Sequence, residues 1–280
     1  MTGSAIARAG RSHAGVALLT LVSLAGCAGH LASKTDVFTM DREMITIASH
    51  PLHIMLVKPA SPRPSPSLVV FASGDGGMMG ISKAILRHLG DEGYYVVGYS
   101  SREAMARFRG PGGVPSYADV VAAHESMNAQ AKRALGLPDR TPMIMTGISR
   151  GASMVIVTAG DSTLRPNIAG AVAIALTREL DYLHVPQRAG RSHGIRLDEN
   201  RKVRTYPAIE RLGSIPLAII QSTNDKYVPS AESRRLLGPD TPTRRLYEVE
   251  ARNHSFSGGQ EALMRDLDDA LKWIAATTRR

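Results

Sequence analysis

The chain has 280 residues, of which 43% are hydrophobic and 21% are charged, an ordinary composition for a soluble domain. This length suits one large α/β domain and is short for two. The formal net charge is +9, but the lysines and arginines are scattered and no helix-turn-helix or zinc-finger spacing is present, so we expect no nucleic-acid partner and favour an anionic membrane surface or substrate.

The first 26 residues have the pattern of a bacterial export signal. Arg8 and Arg11 form a short basic region, and residues 14–24 form an apolar stretch that is too short for a comfortable transmembrane helix. The stretch leads into Leu-Ala-Gly-Cys, which ends at Cys27, the only cysteine. This resembles the lipobox of bacterial lipoproteins and implies acylation of Cys27 after removal of residues 1–26. The alternative is an ordinary signal peptide followed by a chance cysteine.

A short tether and one domain are predicted after the signal. Residues 27–41 form the lipidated tether, and residues 42–280 form the domain. Ala28, rather than aspartate, follows the cysteine, as in lipoproteins that are sorted to the outer membrane. The resemblance therefore implies a periplasmic protein that is anchored in a membrane through Cys27, with the outer membrane favoured.

The domain alternates short apolar strands with amphipathic helices. Two β-branched and apolar runs at 44–48 and 52–57 favour a hairpin. Continuous apolar strands separated by amphipathic helices predict a mainly parallel sheet with helices on both faces, the α/β class. Further strands are predicted at 68–72, 94–99, 143–146, 170–176, 217–221 and 245–249, and helices at 82–89, 117–135, 152–158, 230–237 and 260–276.

Residues 177–207 interrupt this alternation between two core strands. Its apolar residues follow neither the periodicity of a helix nor that of a strand, and the segment is strongly basic. An excursion of about thirty residues inside a compact domain is usually functional or disordered. Its position suits a cap over the carboxyl edge of the sheet, and a solvated surface insertion is the alternative. Its cations are Arg178, Arg188, Arg191, Arg196, Arg201, Lys202 and Arg204.

A Gly-x-Ser-x-Gly pattern lies between a predicted strand and a predicted helix. Gly147-Ile148-Ser149-Arg150-Gly151 directly follows the strand at 143–146. In the α/β-hydrolase fold this turn lifts a nucleophilic serine above the sheet, and its glycines allow backbones to approach too closely for a β-carbon. The pattern alone is weak, so its interpretation depends on a base and an acid elsewhere in the chain.

The expected base and acid follow in the order that this fold requires. A serine hydroxyl needs a base, and the base needs an orienting carboxylate, in the chain order serine, acid, histidine. Asp225 lies in the loop after the strand at 217–221, and His254 lies in the loop after the strand at 245–249. We predict Ser149, Asp225 and His254 as nucleophile, acid and base. Glu250 is a rival acid, but it shares the loop of His254.

A glycine-rich loop after the strand at 68–72 completes the predicted site. Ser73-Gly74-Asp75-Gly76-Gly77 allows the backbone to approach a substrate carbonyl, so Asp75 and Arg150 are predicted to donate the two backbone N–H groups of an oxyanion hole. A dinucleotide fingerprint would need glycine where Met79 stands. The serine mechanism implies no metal or organic cofactor. The segment that begins at His124 lacks the second histidine of a zinc-protease helix.

The glycine-rich loop and the elbow together resemble the bacterial virulence-protein family VirJ and the related C-terminal half of AcvB. These periplasmic proteins have the α/β-hydrolase fold and typically carry Gly-Asp-Gly-Gly-Trp and Gly-Tyr-Ser-Phe-Gly at these places. Met78 stands where the family has tryptophan, and Ile148 and Arg150 replace tyrosine and phenylalanine. Members have been linked to hydrolysis of aminoacyl-phosphatidylglycerol. The resemblance marks Gly74, Gly76 and Met78 as substrate-binding candidates.

Together these patterns predict a lipid-anchored serine ester hydrolase of the cell envelope. A phospholipid-type ester is the expected substrate, with Arg188, Arg191 and Arg196 orienting its phosphate while Ser149 attacks the ester. A general carboxylesterase and a non-catalytic adaptor with the same fold are the alternatives.

Overall fold

The centre of the structure, a computed structural model, is an eight-stranded sheet in the order β1-β2-β4-β3-β5-β6-β9-β10. The structure describes residues 37–47, 50–64, 67–107, 115–180, 195–198 and 202–278, all within the unit Asp36–Arg280. The predicted signal, Cys27 and the tether up to residue 36 lie outside the described residues. The strands are β1 (Phe38–Ile47), β2 (His50–Pro59), β3 (Leu68–Ala72), β4 (Tyr95–Tyr99), β5 (Met143–Ile148), β6 (Ile168–Ile174), β7 (Glu179–Leu180), β8 (Val203–Arg204), β9 (Leu217–Ser222) and β10 (Arg244–Val249).

Most neighbouring strands run parallel. β2 pairs antiparallel with β1 and β4, whereas every pairing from β4 to β10 across the sheet is parallel. The carboxyl ends of β3, β5, β9 and β10 therefore meet at one edge of the sheet, where loops can bring distant residues together. The predicted mainly parallel α/β sheet is confirmed.

Helices cover both faces of the sheet. They are α1 (Ile81–Asp91), α2 (Ser101–Arg107), α3 (Tyr117–Leu135), α4 (Arg150–Ala159), α5 (Thr205–Ala208), α6 (Ser230–Leu237) and α7 (Gln260–Thr277). α3 begins at a capping box, in which Ser116 and Asp119 each accept the other's backbone N–H, and it ends at Gly136 in the left-handed conformation. In the part of the chain that the structure describes, no helix is long and apolar enough to cross a membrane.

Burial on both faces of the sheet explains why the sequence of β3 is continuously apolar. All five of its residues are buried. Leu68, Val70 and Ala72 belong to the hydrophobic cluster that contains the buried side chains of α3 and α4. Val69 and Phe71 belong to the cluster that contains those of α1 and α7. A strand covered on both faces leaves no position for a polar side chain, because successive side chains point to opposite faces.

The predicted strands and helices all occur, with ends that shift by a few residues, and the structure adds features that were not predicted, among them the short helix α5. β1 begins at Phe38, ahead of the predicted domain boundary at residue 42. α2 was missed because it is short and half charged, and it is held by burial of Ala104 and Met105. Within the predicted insertion, β7 and β8 form an antiparallel ribbon, while residues 181–194 and 199–201 lie outside the described residues.

Candidate active site

The turn between β5 and α4 places Ser149 at a strained position. The backbone of Ser149 has φ 56° and ψ −121°, a conformation that residues other than glycine rarely adopt. A β-carbon added at Gly151 would lie 2.1 Å from the carbonyl oxygen of Ala72, and one added at Gly147 would lie 2.4 Å from the carbonyl carbon of Gly151. Gly151 therefore allows the elbow to pack against the end of β3, and Gly147 allows the end of β5 to approach the first turn of α4 closely.

Ser149, His254 and Asp225 form one hydrogen-bonded chain. The Nδ1 atom of His254 lies 2.6 Å from Oδ2 of Asp225, and its Nε2 atom lies 2.8 Å from Oγ of Ser149. A carboxylate can only accept, so Nδ1–H donates to Asp225, and Nε2 is left to accept the proton of the Ser149 hydroxyl. This geometry can remove a proton from Ser149 and stabilise the charged imidazole that results.

Asp225 is held by the strand and loop around it. Its side chain is fully buried, and Gln221 at the end of β9 donates its side-chain amide to Oδ2 over 3.0 Å. The backbone N–H of Tyr227 donates to Oδ1 over 2.8 Å. A buried carboxylate with these partners cannot rotate freely, so the imidazole is oriented as well. The rival acid, Glu250, is exposed, and Nδ1 of His254 faces Asp225 instead.

The glycine-rich loop after β3 lies directly over the elbow. A β-carbon added at Gly74 would lie 3.2 Å from Cβ of Ser149. The guanidinium of Arg150 and the carboxylate of Asp75 form an ion pair over 2.7 Å, with the arginine largely buried and the aspartate largely exposed. This pair connects the first turn of α4 to the loop. It therefore joins the two residues that were predicted to donate oxyanion N–H groups.

Two arms of one cleft meet at Ser149. The cap-side arm, with a volume of about 370 Å³, is lined by Arg150, Arg178, Glu179 and Lys202 among others. The glycine-side arm, with a volume of about 710 Å³, is lined by residues 74–77, Met79, Ile81 and His254 among others. Asp75, Ser149 and Tyr227 line both arms. An ester bound at Ser149 can thus extend one substituent into each arm.

The cations of the cap-side arm are paired with carboxylates. Arg178 forms an ion pair with Glu232 of α6. Lys202 lies 3.4 Å from Glu179 across the ribbon of β7 and β8. Together with the Arg150–Asp75 pair, these contacts make the arm polar with both signs of charge. The base of the predicted insertion is therefore part of the cleft.

Two predicted substrate-binding side chains lie elsewhere. Arg196 does not line either arm, and its guanidinium lies 3.6 Å from Glu210 on the surface. Met78 packs against the cluster of α1 and α7 and lines a neighbouring groove together with Met79, and of these two methionines only Met79 also lines the cleft. Gly74 and Gly76 line the glycine-side arm. The predicted residues Arg188 and Arg191 lie outside the described residues.

Several residues that line the cleft, among them Arg178, Lys202, Tyr227 and Met79, were not predicted as site residues. Arg178 and Lys202 were recognised only as members of a basic segment, because their place depends on the ribbon of β7 and β8. Tyr227 follows Asp225 in the same loop, and its ring meets the imidazole of His254 edge to face at 4.8 Å. Its position close to the predicted acid in the sequence was the feature that could have identified it as a site residue. Nothing in the sequence around Met79 indicated that its side chain lines the cleft.

His124 is buried, and both of its ring nitrogens form hydrogen bonds within the fold. Its Nε2 atom lies 2.6 Å from the hydroxyl of Tyr99, and its Nδ1 atom lies 2.8 Å from the carbonyl oxygen of Val120. Burial lowers the pKa of His124, so the neutral ring is favoured. Among the described residues, no group of three or more His, Cys, Asp or Glu side chains is arranged to hold a metal ion.

No protein-family model matches the chain, and no curated protein matches it. It is similar to the structure of Est1E from Butyrivibrio proteoclasticus, with 15% identity and a TM-score of 0.57 over 84% of this chain and 99% of that one. It is also similar to the esterase domain of a Rhodothermus marinus protein, with 17% identity and a TM-score of 0.55 over 86% and 99%. An alpha-beta serine hydrolase homologue from Coxiella burnetii matches with 15% identity and a TM-score of 0.54 over 81% and 95%. These similarities identify the α/β-hydrolase fold.

Proposed function

We propose that the protein is a serine hydrolase that cleaves carboxylic esters through an acyl-enzyme. The observation that carries the proposal is the hydrogen-bonded chain from Ser149 through His254 to Asp225 at the junction of two arms of a cleft. The three side chains come from three loops at the carboxyl edge of a parallel sheet, where sites of this fold are found.

Acylation begins when Nε2 of His254 removes the hydroxyl proton of Ser149 as Oγ attacks the ester carbonyl. The backbone N–H groups of Arg150 and Asp75 donate hydrogen bonds to the carbonyl oxygen and stabilise the negative charge that forms on it. His254 then gives its proton to the departing alcohol, which leaves an acyl-Ser149 ester. Water attacks this ester with His254 again as base, which releases the acid and restores the serine. Asp225 stabilises the imidazolium in both steps.

Covalent labelling followed by a substrate screen tests this proposal. A fluorophosphonate should label the purified protein at Ser149, identified by peptide mass spectrometry, because an activated serine attacks phosphorus as it attacks a carbonyl. Labelling should be lost when the protein is unfolded first. Absence of labelling in folded protein would favour the non-catalytic adaptor.

A finer form of the proposal concerns the substrate. The resemblance to the VirJ family favours a phospholipid-type ester, with aminoacyl-phosphatidylglycerol as the specific candidate. The cap-side arm supports a polar group there, because Arg178, Lys202 and Glu179 offer partners to both signs of charge. The screen compares turnover of aminoacyl-phosphatidylglycerol with that of 4-nitrophenyl butyrate. Turnover of the short-chain ester alone would leave a general carboxylesterase.

The proposed location is the periplasmic side of a membrane, with attachment through acylated Cys27. We expect Cys27→Ser to move the protein from the membrane fraction to the soluble periplasmic fraction, because the acyl chains supply the attachment. Immunoblots of both fractions measure this, and the short-chain esterase rate of the released protein checks that the domain is intact. Unchanged membrane association of the variant would contradict the anchor.

A further inference from the structure

A groove lined by methionine side chains lies beside the Ser149 cleft. Its volume is about 380 Å³, within the range of pockets that hold small molecules. Its apolar lining consists of Met40, Met55, Met78, Met79, Ile54 and Leu86. Its polar lining carries both signs of charge and consists of Arg42, Lys83, His53, Glu103 and Ser100. No Phe, Tyr or Trp is among the described residues that form the groove.

The groove adjoins the glycine-side arm. It lies between one face of the β1–β2 pair, on which Arg42 stands opposite Met55, and the helix α1. Its upper end is formed by residues that follow β3 and β4 at the carboxyl edge of the sheet, Met79 and Ser100. Met79 lines both the groove and the glycine-side arm, so the two spaces share one wall.

Part of the exposed apolar surface of the domain lies beside the Ser149 cleft. Five large hydrophobic side chains are exposed among the described residues, and two of them, Met79 and Tyr227, line the glycine-side arm. Met79 is 73% exposed. Isolated exposed apolar residues are common, but a contiguous apolar surface beside a cleft marks a binding site. Met40, Met55 and Met78, which lie further along the groove, are half-buried and extend this surface.

We propose that the groove binds an unbranched aliphatic chain of the ester, carried on the acyl substituent that extends from Ser149 through the glycine-side arm. The inference rests on the proposed ester hydrolysis and adds a substrate class to it, namely esters with a medium or long linear chain. Methionine side chains are unbranched and flexible, so they adapt to a flexible chain. Aromatic rings, which would favour a planar group, are absent from the described lining.

A chain-length series tests the groove. Hydrolysis of 4-nitrophenyl acetate, butyrate, hexanoate and octanoate is measured below the concentrations at which the esters aggregate. We expect kcat/KM of the unchanged protein to rise by about tenfold or more from butyrate to octanoate. Each additional methylene group that is buried in an apolar site strengthens binding of the longer ester over the shorter one. In Met79→Glu and in Met55→Gln, the octanoate-to-butyrate ratio should fall by about tenfold.

A matched control separates the groove from a general effect of surface charge. Met44 is 66% exposed on β1 and does not line the groove. Met44→Glu should therefore keep the octanoate-to-butyrate ratio of the unchanged protein. A ratio that falls equally in Met44→Glu and Met79→Glu would overturn the inference. Thermal unfolding of each variant identifies loss of structure, and an unfolded Met55→Gln would leave Met79→Glu as the deciding variant.

Failure of this inference differs from failure of the proposed function. Turnover of butyrate without any preference for chain length would overturn the groove and leave the esterase intact. Absence of both turnover and Ser149 labelling would overturn both. Loss of binding to phospholipid vesicles by Met79→Glu, with an unchanged chain-length ratio, would show that the surface contacts a membrane instead, and this too would overturn the inference.

Discussion

Replacement of Ser149 or His254 by alanine is expected to lower ester turnover by roughly 10⁴- to 10⁶-fold, because nucleophile and base act as one unit. The hydrogen bond of 2.8 Å between Oγ of Ser149 and Nε2 of His254 is the contact that both variants remove. Asp225→Asn should cost about 10⁴-fold, because an amide can donate to Nδ1 and thereby favour the wrong imidazole tautomer. Steady-state rates on 4-nitrophenyl butyrate, with burst titration of active sites, measure these losses.

The matched control for the acid is Glu250→Gln. Glu250 is exposed and lies in the same loop as His254, whereas the carboxylate that faces Nδ1 belongs to Asp225. We expect Glu250→Gln to retain the rate of the unchanged protein within about twofold, as is usual for exposed positions. A loss in Glu250→Gln that exceeds the loss in Asp225→Asn would transfer the role of acid to Glu250.

Gly151→Ala is expected to destabilise the domain by about 3 kcal/mol, the upper part of the usual range for overpacking. The added β-carbon would lie 2.1 Å from the carbonyl oxygen of Ala72 and 2.6 Å from that of Ser73. Both are backbone atoms, so rotation of a side chain cannot relieve the overlap. The elbow would have to move away from β3, which would also displace Ser149. Urea unfolding followed by circular dichroism measures the change in the free energy of unfolding.

Gly76→Ala provides the comparison for this variant. Gly76 lies in the glycine-rich loop, and a β-carbon added there would meet no atom within 4 Å. We therefore expect the free energy of unfolding to change by less than about 1 kcal/mol. Equal stability of Gly151→Ala and Gly76→Ala would show that the elbow is not packed against β3 as described.

Several features of the site follow from local sequence. The strand β5, the glycines at 147 and 151 and the helix α4 are all encoded within residues 143–159. The loops that carry Asp225 and His254 each follow a short apolar strand, and the order of the two along the chain is the order expected for this fold. Their convergence could be inferred because parallel strands end at the same edge of a sheet.

The composition of the cleft walls could not be inferred in the same way. The resemblance marked Met78 as a substrate-binding candidate, but of these two adjacent methionines only Met79 lines the cleft, while both line the groove. Arg178 pairs with Glu232, which is 54 positions away in the chain. Such a pair depends on where α6 packs, and no local pattern carries that information.

The sequence by itself thus determined the α/β class, the elbow and the three side chains that meet there, because hydrophobic periodicity and turn chemistry are local properties. The tertiary structure decided how the cleft is divided, which cations are paired, and that β1 and β2 lie beside β4 so that their methionines form a groove against α1. These features arise from contacts between residues far apart in the chain. The free energy of such contacts depends on how helices and strands pack against each other, and the sequence of a single segment does not determine that packing.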